Sequence, residues 1–596
     1  MTTSASSVSS VTILFGSETG NAQDYAYYLA RKLRYYSLHP TVAALDDYPL
    51  KKLVTETRYL VVICSTAGQG EVPRNGRKFL KFLLKKKLPH DLLNHVRFTS
   101  FGLGDSSYPK FNHAIKKLHT RLLQLGCSEL SPRCESDEMS PEGVDNYFAE
   151  WMATLLPALC KQFPELPQID DHVLLPPSMP VAISMGEPDQ FFETQNLSLT
   201  RSGAGLNIGT LVRNQRVTAP DHFQDVRHVI IESDHTELSY LPGDTVALYP
   251  QNDSRSVQLL LESQPHWLAV ADKPLRIMGK TPALEGGLIA PHALTLRTLI
   301  TYHLDISSIP RRTFFALLFH FVDASTADGE REKEKLEEFT RLNESEDLYN
   351  YANRPRRSIL ETVQEFQQNL HIPIEYVLDL FPLIKVRLFS IASRPSPTSV
   401  ELVVGIVEYR TMLRRLRKGL CTKWLKGAET GEKIIFSLHK SNLKFQGSET
   451  MLQSPPPVLM VAPGTGIAPM KSLIEHTAGT RELHLFYGFR DSNKDYLFSE
   501  TWAPLQEKGQ LSVYAAVSRE PGYPYKYVQD RLFAEKDTVL RLLLEQRAIL
   551  FICGSSGKMP TQVRLTLVEI LRDHVPEPEK FLIDMENEGR YIQETW

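Results

Sequence analysis

Short apolar runs and stretches of helical period take turns along the first quarter of the chain. From Val11 to about Cys160, runs such as YLVVICS (Tyr59–Ser65) and VRFTSFGLG (Val96–Gly104) alternate with patterns in which apolar residues recur every three or four positions, as in Tyr25–Leu33. Runs that are apolar throughout suit strands covered on both faces, so the alternation predicts a doubly wound parallel sheet. From Pro457 onward, four further strand-then-loop units, opening at VLMVAP, ELHLFYGF, LSVYAAV and AILFICG, predict a second sheet of the same kind. Between them the pattern changes. HVIIES (His228–Ser233), YLPGDTVALYPQN (Tyr240–Asn252), KVRLFSIAS (Lys385–Ser393) and VELVVGIVEY (Val400–Tyr409) read as barrel strands, and about 258–380 reads as a helical insertion among them. Residues 161–204, with prolines at 164, 167, 176, 177, 180 and 188 and little periodicity, predict a flexible linker. The expected organisation is an α/β domain over 8–160, the linker over 161–204, a β-barrel with its insertion over 205–455, and a second α/β domain over 456–596.

At 596 residues, with 23% charged and 42% hydrophobic residues, the chain is a globular protein too long for one core. A net charge of −3 argues against wholesale nucleic-acid binding, but the charge is uneven: residues 1–160 hold 19 Lys and Arg against 15 Asp and Glu, a balance of +4 that leaves −7 for the rest. Seven of those cations lie in RNGRKFLKFLLKKK (Arg74–Lys87), with no acid among them. The segment reads either as a solvated helix face or as a docking face for an acidic partner. The start, MTTSASSVSS, reads as neither a signal peptide nor a membrane anchor, and no apolar run reaches the eighteen or so residues of a membrane span. Cys64, Cys127, Cys134, Cys160, Cys421 and Cys553 form no Cys-x-x-Cys pair. That spacing disfavours zinc, an iron–sulfur cluster or a disulfide framework, so no metal site is expected and a cytoplasmic, reducing compartment fits best.

The candidate chemistry begins at LFGSETGNAQD (Leu14–Asp24), where a strand hands over to a helix through residues of little bulk. Such a turn either only connects the two or forms an anion cradle, with unpaired backbone N–H groups, the hydroxyls of Ser17 and Thr19, and the positive end of a helix. It carries neither the lysine of a P-loop nor the Gly-x-Gly-x-x-Gly of a dinucleotide turn, which suits a phosphate held by hydroxyls and amides without a lysine, as in an FMN site. STAGQGEVP (Ser65–Pro73) and GLGDSSYPKFN (Gly102–Asn112) also follow strands, and the three loops should meet in one pocket beyond the strand ends. Farther on, RLFS (Arg387–Ser390) supplies a guanidinium for a pyrophosphate, an aromatic ring and a hydroxyl, and GLCT (Gly419–Thr422) offers amides ahead of a helix expected near Lys423. APGTGIAP (Ala462–Pro469) is either a simple turn or a close approach for a nucleotide, and SRE (Ser518–Glu520), with Lys526 and Tyr527, suits the 2′-phosphate of NADPH.

The order of GSETGNA, STAGQGE, GLGDSSYPKFN, RLFSIAS, GLCTKWL, PGTGIAP, YGFRDSNKDYLF, SREP, ICGSSGKM and GRYIQETW resembles the diflavin reductases related to cytochrome P450 reductase, over nearly the whole chain. The resemblance implies a flavodoxin-like FMN domain, an FAD-binding antiparallel barrel with a helical insertion, and an NADP-binding doubly wound sheet like that of ferredoxin-NADP reductase. It implies that Ser17, Glu18, Thr19, Gly20, Asn21 and Ala22 hold the FMN phosphate. Ser65, Thr66, Ala67, Gly68, Leu103, Gly104, Asp105, Tyr108, Phe111, Asn112 and Glu135 would surround the FMN ring, with Tyr108 stacked on it. Ala67 stands where relatives often carry a second aromatic, which implies a less covered ring and FMN that is more easily lost. Arg387, Phe389, Ser390, Gly419, Leu420, Cys421 and Thr422 fall on FAD positions, with Trp596 over the FAD ring. Gly464, Thr465, Ser518, Arg519, Lys526, Tyr527 and Gln529 fall on NADPH positions, although Lys526 is offset by a loop one residue longer, and Phe489 replaces the usual Cys of a YGCR pattern. Ser390, Cys553, Glu594 and Trp596 form the implied catalytic group, with Glu594 where relatives commonly have Asp.

The implied route runs from NADPH to FAD to FMN to a protein acceptor. Within the family the resemblance points to members that supply the iron–sulfur protein anamorsin in cytosolic iron–sulfur cluster assembly. The flavoprotein of assimilatory sulfite reductase, with the same three parts, and a flavin-binding scaffold without redox turnover are the alternatives.

Overall fold

Strands whose every residue is shielded from water need cover on both faces, and VTILFG at the start of the chain is buried at all six positions. The structure, a computed structural model, describes residues 10–67, 70–108, 110–140, 143–184, 206–234, 237–278, 294–342, 345–412, 414–441 and 455–595. Among them, β1 (Val11–Gly16), β2 (Thr41–Ala44), β3 (Tyr59–Ser65), β4 (Arg97–Gly104), β5 (Ser128–Glu129) and β6 (Cys134–Asp137) form a parallel sheet in the order β2-β1-β3-β4, with β5 and β6 following one another along the outer edge of β4. Successive side chains go to opposite faces, as the two-residue period of a strand dictates. Val11, Ile13, Phe15, Val61 and Ile63 pack with the helices Asn21–Tyr35 and Gly143–Cys160, while Leu14, Leu60 and Val62 pack with Arg77–Leu83 and His113–Gln124. The rings of Phe101, Phe148 and Trp151, with centroids 5.1–5.7 Å apart, lock the last helix to the sheet.

The basic segment is not one long helix. Its α-helical part is Arg77–Leu83, which buries Phe79 and Leu83 and exposes Lys78 and Lys81, and Lys85, Lys86 and Lys87 stand exposed in the turns that follow.

The stretch expected to be a linker begins by lying on its neighbours. Ile169 N donates to Tyr35 O (2.6 Å), Tyr35 Oη to Val173 O (3.1 Å), Tyr376 Oη to Leu175 O (3.1 Å) and Ser178 N to Asp379 Oδ2 (2.7 Å). A short strand, β7 (Val181–Ile183), then awaits a partner from far along the chain.

The middle sheet is antiparallel and bends nearly into a barrel. It comprises β8 (Leu206–Arg216), β9 (Val226–Ser233), β10 (Thr245–Leu248), β12 (Arg387–Ser390), β13 (Ser399–Gly405) and β16 (Lys433–His439) in the order β12-β10-β16-β8-β9-β13. Its ends meet just beyond β12, where Ile391 bridges Leu402 and Ala392 N donates to Glu401 O (2.7 Å). Between β10 and β12 lies the mostly helical insertion, built around the buried Trp267, Phe315 and Phe381, and its strand β11 (Leu275–Ile277) pairs with β7. A hairpin of β14 (Glu408–Arg410) and β15 (Leu416–Lys418) precedes a helix that starts at Leu420, three residues before the expected position. Gly419, in extended conformation, caps it, and Thr422 is drawn into the first turn because its Oγ1 accepts from Val407 N (3.1 Å).

The last sheet has a strand more than expected. To β17 (Val458–Pro463), β18 (Leu483–Phe489), β19 (Ser512–Val517) and β20 (Ile549–Gly554) it adds β21 (Tyr591–Thr595), all parallel, in the order β19-β18-β17-β20-β21. A buried ammonium joins this sheet's first helix to the barrel: Lys471 contacts Glu401 Oε2 (3.0 Å) and Glu475 (2.7 Å), and His228 reaches the same Glu401 oxygen (2.8 Å). Burial alone would raise the Glu401 carboxyl, but the His228 hydrogen bond and the Lys471 charge hold it down to about 2. Among the described residues no helix is long and apolar enough to cross a membrane.

Candidate functional site

At the end of β1 the turn Ser17–Gly20 is held open by its neighbours. Ser17 N donates to Asn75 Oδ1 (2.9 Å), Gly20 N to Ser17 Oγ (2.9 Å), and Glu18 accepts from Arg74 N (2.6 Å). Gly20 adopts φ +95°, a conformation that suits glycine, and the helix beginning at Asn21 and Ala22 has no side-chain cap, so its first amides remain available to an anion. A Cβ on Gly20 would lie 2.8 Å from Lys385 Nζ and 3.2 Å from an Arg311 nitrogen, so two cations from the barrel and its insertion crowd this turn. Reading the turn as a phosphate site without a lysine therefore omitted two distant charges.

Beside it, Thr66 N donates to Leu103 O (3.0 Å) and Ala67 bridges Glu71. Asn112 is fully buried and donates to Ser136 O (2.9 Å), while its Oδ1 and the Oγ1 of Thr66 are buried without a hydrogen-bond partner among the described residues. Unmatched buried acceptors are costly, and a ligand bearing N–H groups at this strand end would satisfy them, which fits a flavin. Tyr108 stands 55% exposed above the same loops, open for stacking. Asp105 accepts from the amide of Ser107 (2.8 Å), Leu103 and Gly104 end β4, and Phe111 lies under Lys116. Glu135, on β6, is committed to ion pairs with Lys116 (3.1 Å) and Arg133 (2.8 Å). Ser65 donates to Gly16 O (3.2 Å), and Gly68 lies outside the described residues.

On β12, Arg387 is exposed, Phe389 packs against the barrel core, and Ser390 reaches the last sheet. Cys421 and Thr422 turn inward and Gly419 N donates to Val407 O (2.9 Å), so it is the amides of Leu420 to Thr422 that can meet a pyrophosphate. Burial pushes the Cys421 thiol up to about 12, which leaves it inert.

The chemistry of the barrel and of the last sheet converges at the ends of β12, β20 and β21. Ser390 Oγ donates to Glu594 Oε1 (3.1 Å), and Glu594 lies in register with Cys553 on the adjacent strand. Burial raises the Glu594 carboxyl to about 7 against the lowering effect of the Ser390 hydrogen bond, and its Oε2 has no partner among the described residues. Burial and the neighbouring Glu594 also push the Cys553 thiol well above its ordinary value. The group can hold and release a proton near neutral pH. Gly466 has to be small here, since a Cβ would lie 2.3 Å from Cys553 O. Trp596 lies outside the described residues.

Gly464, at φ +57°, has open space where a Cβ would stand, and Thr465 follows it. At the end of β19, Ser518 N donates to Phe489 O (3.0 Å), while the side chains of Arg519 and Lys526 are exposed. Tyr527 caps the helix Val528–Ala534, which carries Gln529 on its first turn. Phe489 fills an aromatic cluster with Tyr487 and Tyr496, centroids 5.3 and 4.7 Å away, so its place in the pattern is taken up by packing.

The sequence reading did not find Arg311, Lys385, Asn75 or the strand β21. An Arg-Arg-Thr run at Arg311–Thr313 was the only available signal for the first.

Family models match the chain in three blocks: Flavodoxin over residues 13–151, FAD binding domain over 206–424 and Oxidoreductase NAD-binding domain over 460–564. The chain is 60% identical over 606 residues to the NADPH-dependent diflavin oxidoreductase 1 of Debaryomyces hansenii, covering 99% of each. It is 53% identical to that of Candida albicans (98% of this chain, 99% of the relative) and 37% identical to that of Saccharomyces cerevisiae (99% and 100%).

Proposed function

Since the chain belongs to the NADPH-dependent diflavin oxidoreductases, an oxidoreductase family that uses FMN, FAD and NADP and serves a redox protein acceptor, we propose that its acceptor is the iron–sulfur protein anamorsin, in cytosolic iron–sulfur cluster assembly. The bound flavins supply the chemistry that side chains lack, taking hydride as an electron pair and passing electrons on singly.

The protein's own residues prepare the sites. Arg387 and the amides of Leu420–Thr422 would bind a pyrophosphate, and Phe389 would stand beside the flavin so anchored. Arg519 and Ser518 hold the 2′-phosphate, with Lys526, Tyr527 and Gln529 at the rim. The Ser17–Ala22 turn holds the FMN phosphate, and Tyr108 covers the ring. Trp596, one residue beyond β21, gates the nicotinamide. An ionised Glu594, held by Ser390, would stabilise the positive charge that a nicotinamide carries after giving up hydride, with Cys553 beside it as a neutral thiol.

The observation that carries this reading is the meeting of Ser390, Cys553 and Glu594 from two domains at one strand end. A capture experiment tests the acceptor: under reducing conditions with NADPH, the bound partner should show iron–sulfur absorption that bleaches on reduction. A siroheme-bearing partner would assign the chain to sulfite reduction. Failure to reduce ferricyanide or cytochrome c with NADPH would leave only a scaffold.

A further inference from the structure

Three consecutive residues of the insertion each take a partner on the flavodoxin-like domain. Arg311 donates to Gly20 O and to Thr19 O (2.9 Å), Arg312 pairs with Asp145 (2.6 Å), and Thr313 donates to Asp24. Arg312 and Thr313 thereby have acidic partners. Arg311 does not: among the described residues no carboxylate lies within ion-pair distance of its guanidinium, which rests on two carbonyls of the turn that opens toward an anion. The Lys385 ammonium reaches the same place, 2.8 Å from where a Cβ on Gly20 would stand. Two cations thus converge on a glycine whose helix start is uncapped, where a phosphate seated on the turn would meet both as well as the first amides of the helix.

We propose that Arg311 and Lys385 finish the FMN phosphate site from across the domain boundary, so that the phosphate fastens the flavodoxin-like domain onto the insertion. This rests on the FMN reading of the Ser17–Ala22 turn and deepens it. The cofactor's phosphate becomes part of the domain interface, and loss of FMN loosens the closed arrangement as well as removing a redox centre. Reciprocity follows, since whatever closes the domains tightens FMN binding by the same factor.

Riboflavin, which has the ring and lacks the phosphate, separates the outcomes. Full-length protein stripped of FMN is titrated with FMN or riboflavin while flavin fluorescence is followed. The Arg311→Gln/Lys385→Gln variant should bind FMN about tenfold more weakly, as expected for losing charge-assisted contacts, with riboflavin affinity unchanged. Equal weakening of both ligands, or no weakening of either, would overturn the proposal. A second measurement needs no variant: by small-angle scattering, FMN should reduce the radius of gyration of the native protein relative to riboflavin, and equal radii would overturn the coupling. Native protein that binds neither ligand would contradict the FMN reading itself, a result distinct from the others.

Discussion

In both parallel sheets the strand order reverses beside a strand that ends in a glycine turn: β1 beside β3 in the first sheet, β17 beside β20 in the last. Crevices open at such reversals, and both candidate nucleotide turns, Ser17–Gly20 and Gly464–Gly466, lie there. What closes each crevice differs. The first is covered by charges from another domain, Arg311 and Lys385, whereas the last draws Cys553 and Glu594 from its own neighbouring strands. One architecture thus makes two kinds of site. A site completed from outside is coupled to domain arrangement, and a site completed mainly from within can keep its geometry while domains move.

The largest effect should come from the last sheet's rim. Arg519→Ala is expected to raise the NADPH Michaelis constant about ten- to a hundredfold and leave NADH nearly unchanged, a change measured by steady-state kinetics. Equal losses with both would show that Arg519 does not read the 2′-phosphate. Trp596→Ala should raise NADH-driven activity by about tenfold, the worth of roughly 1.4 kcal/mol, and an unmoved NADH/NADPH activity ratio would remove the gate.

On the first sheet, Gly20→Ala combines an unfavourable φ with a Cβ 2.8 Å from Lys385 Nζ. A strain of about 1 kcal/mol should weaken FMN retention roughly fivefold with FAD content unchanged, as measured on extracted flavin. If FAD falls equally, the substitution acts on the whole fold and the two sites are not independent. The smallest effect is expected at the basic turn. Lys85, Lys86 and Lys87 reversed to Glu should slow delivery to the protein acceptor about twofold to fivefold at low salt while sparing ferricyanide, and equal rates would return the segment to a solvated surface.

Local pattern revealed the parts of this molecule that local forces make. The buried runs of β1, β3, β17 and β20 announce themselves because each is covered on both faces. β21 escaped because YIQET mixes polar and half-buried positions over five residues, and its place in the sheet comes from pairing with β20. The helix start at Leu420 was misjudged because Thr422 is recruited by Val407 N in the connection between β13 and β14. Ser390 and Glu594 were recognisable as motif residues, but their hydrogen bond spans 204 positions. Arg311 was invisible for the same reason: its contact with Gly20 joins residues 291 apart, and no periodicity reports such a pair.

In the proposed function Glu594, held by Ser390 beside Cys553, governs hydride transfer through its charge. Its carboxyl titrates at about 7, so the proton is held below that value and the stabilising negative charge is present above it. Stopped-flow reduction of the bound FAD by NADPH between pH 5.5 and 8.5 tests this directly. The native rate should climb through about pH 7, and Glu594→Gln should be flat and, at pH 8.5, about a hundredfold slower, in line with removal of a group that stabilises developing charge. A variant that keeps the native pH profile would contradict the account.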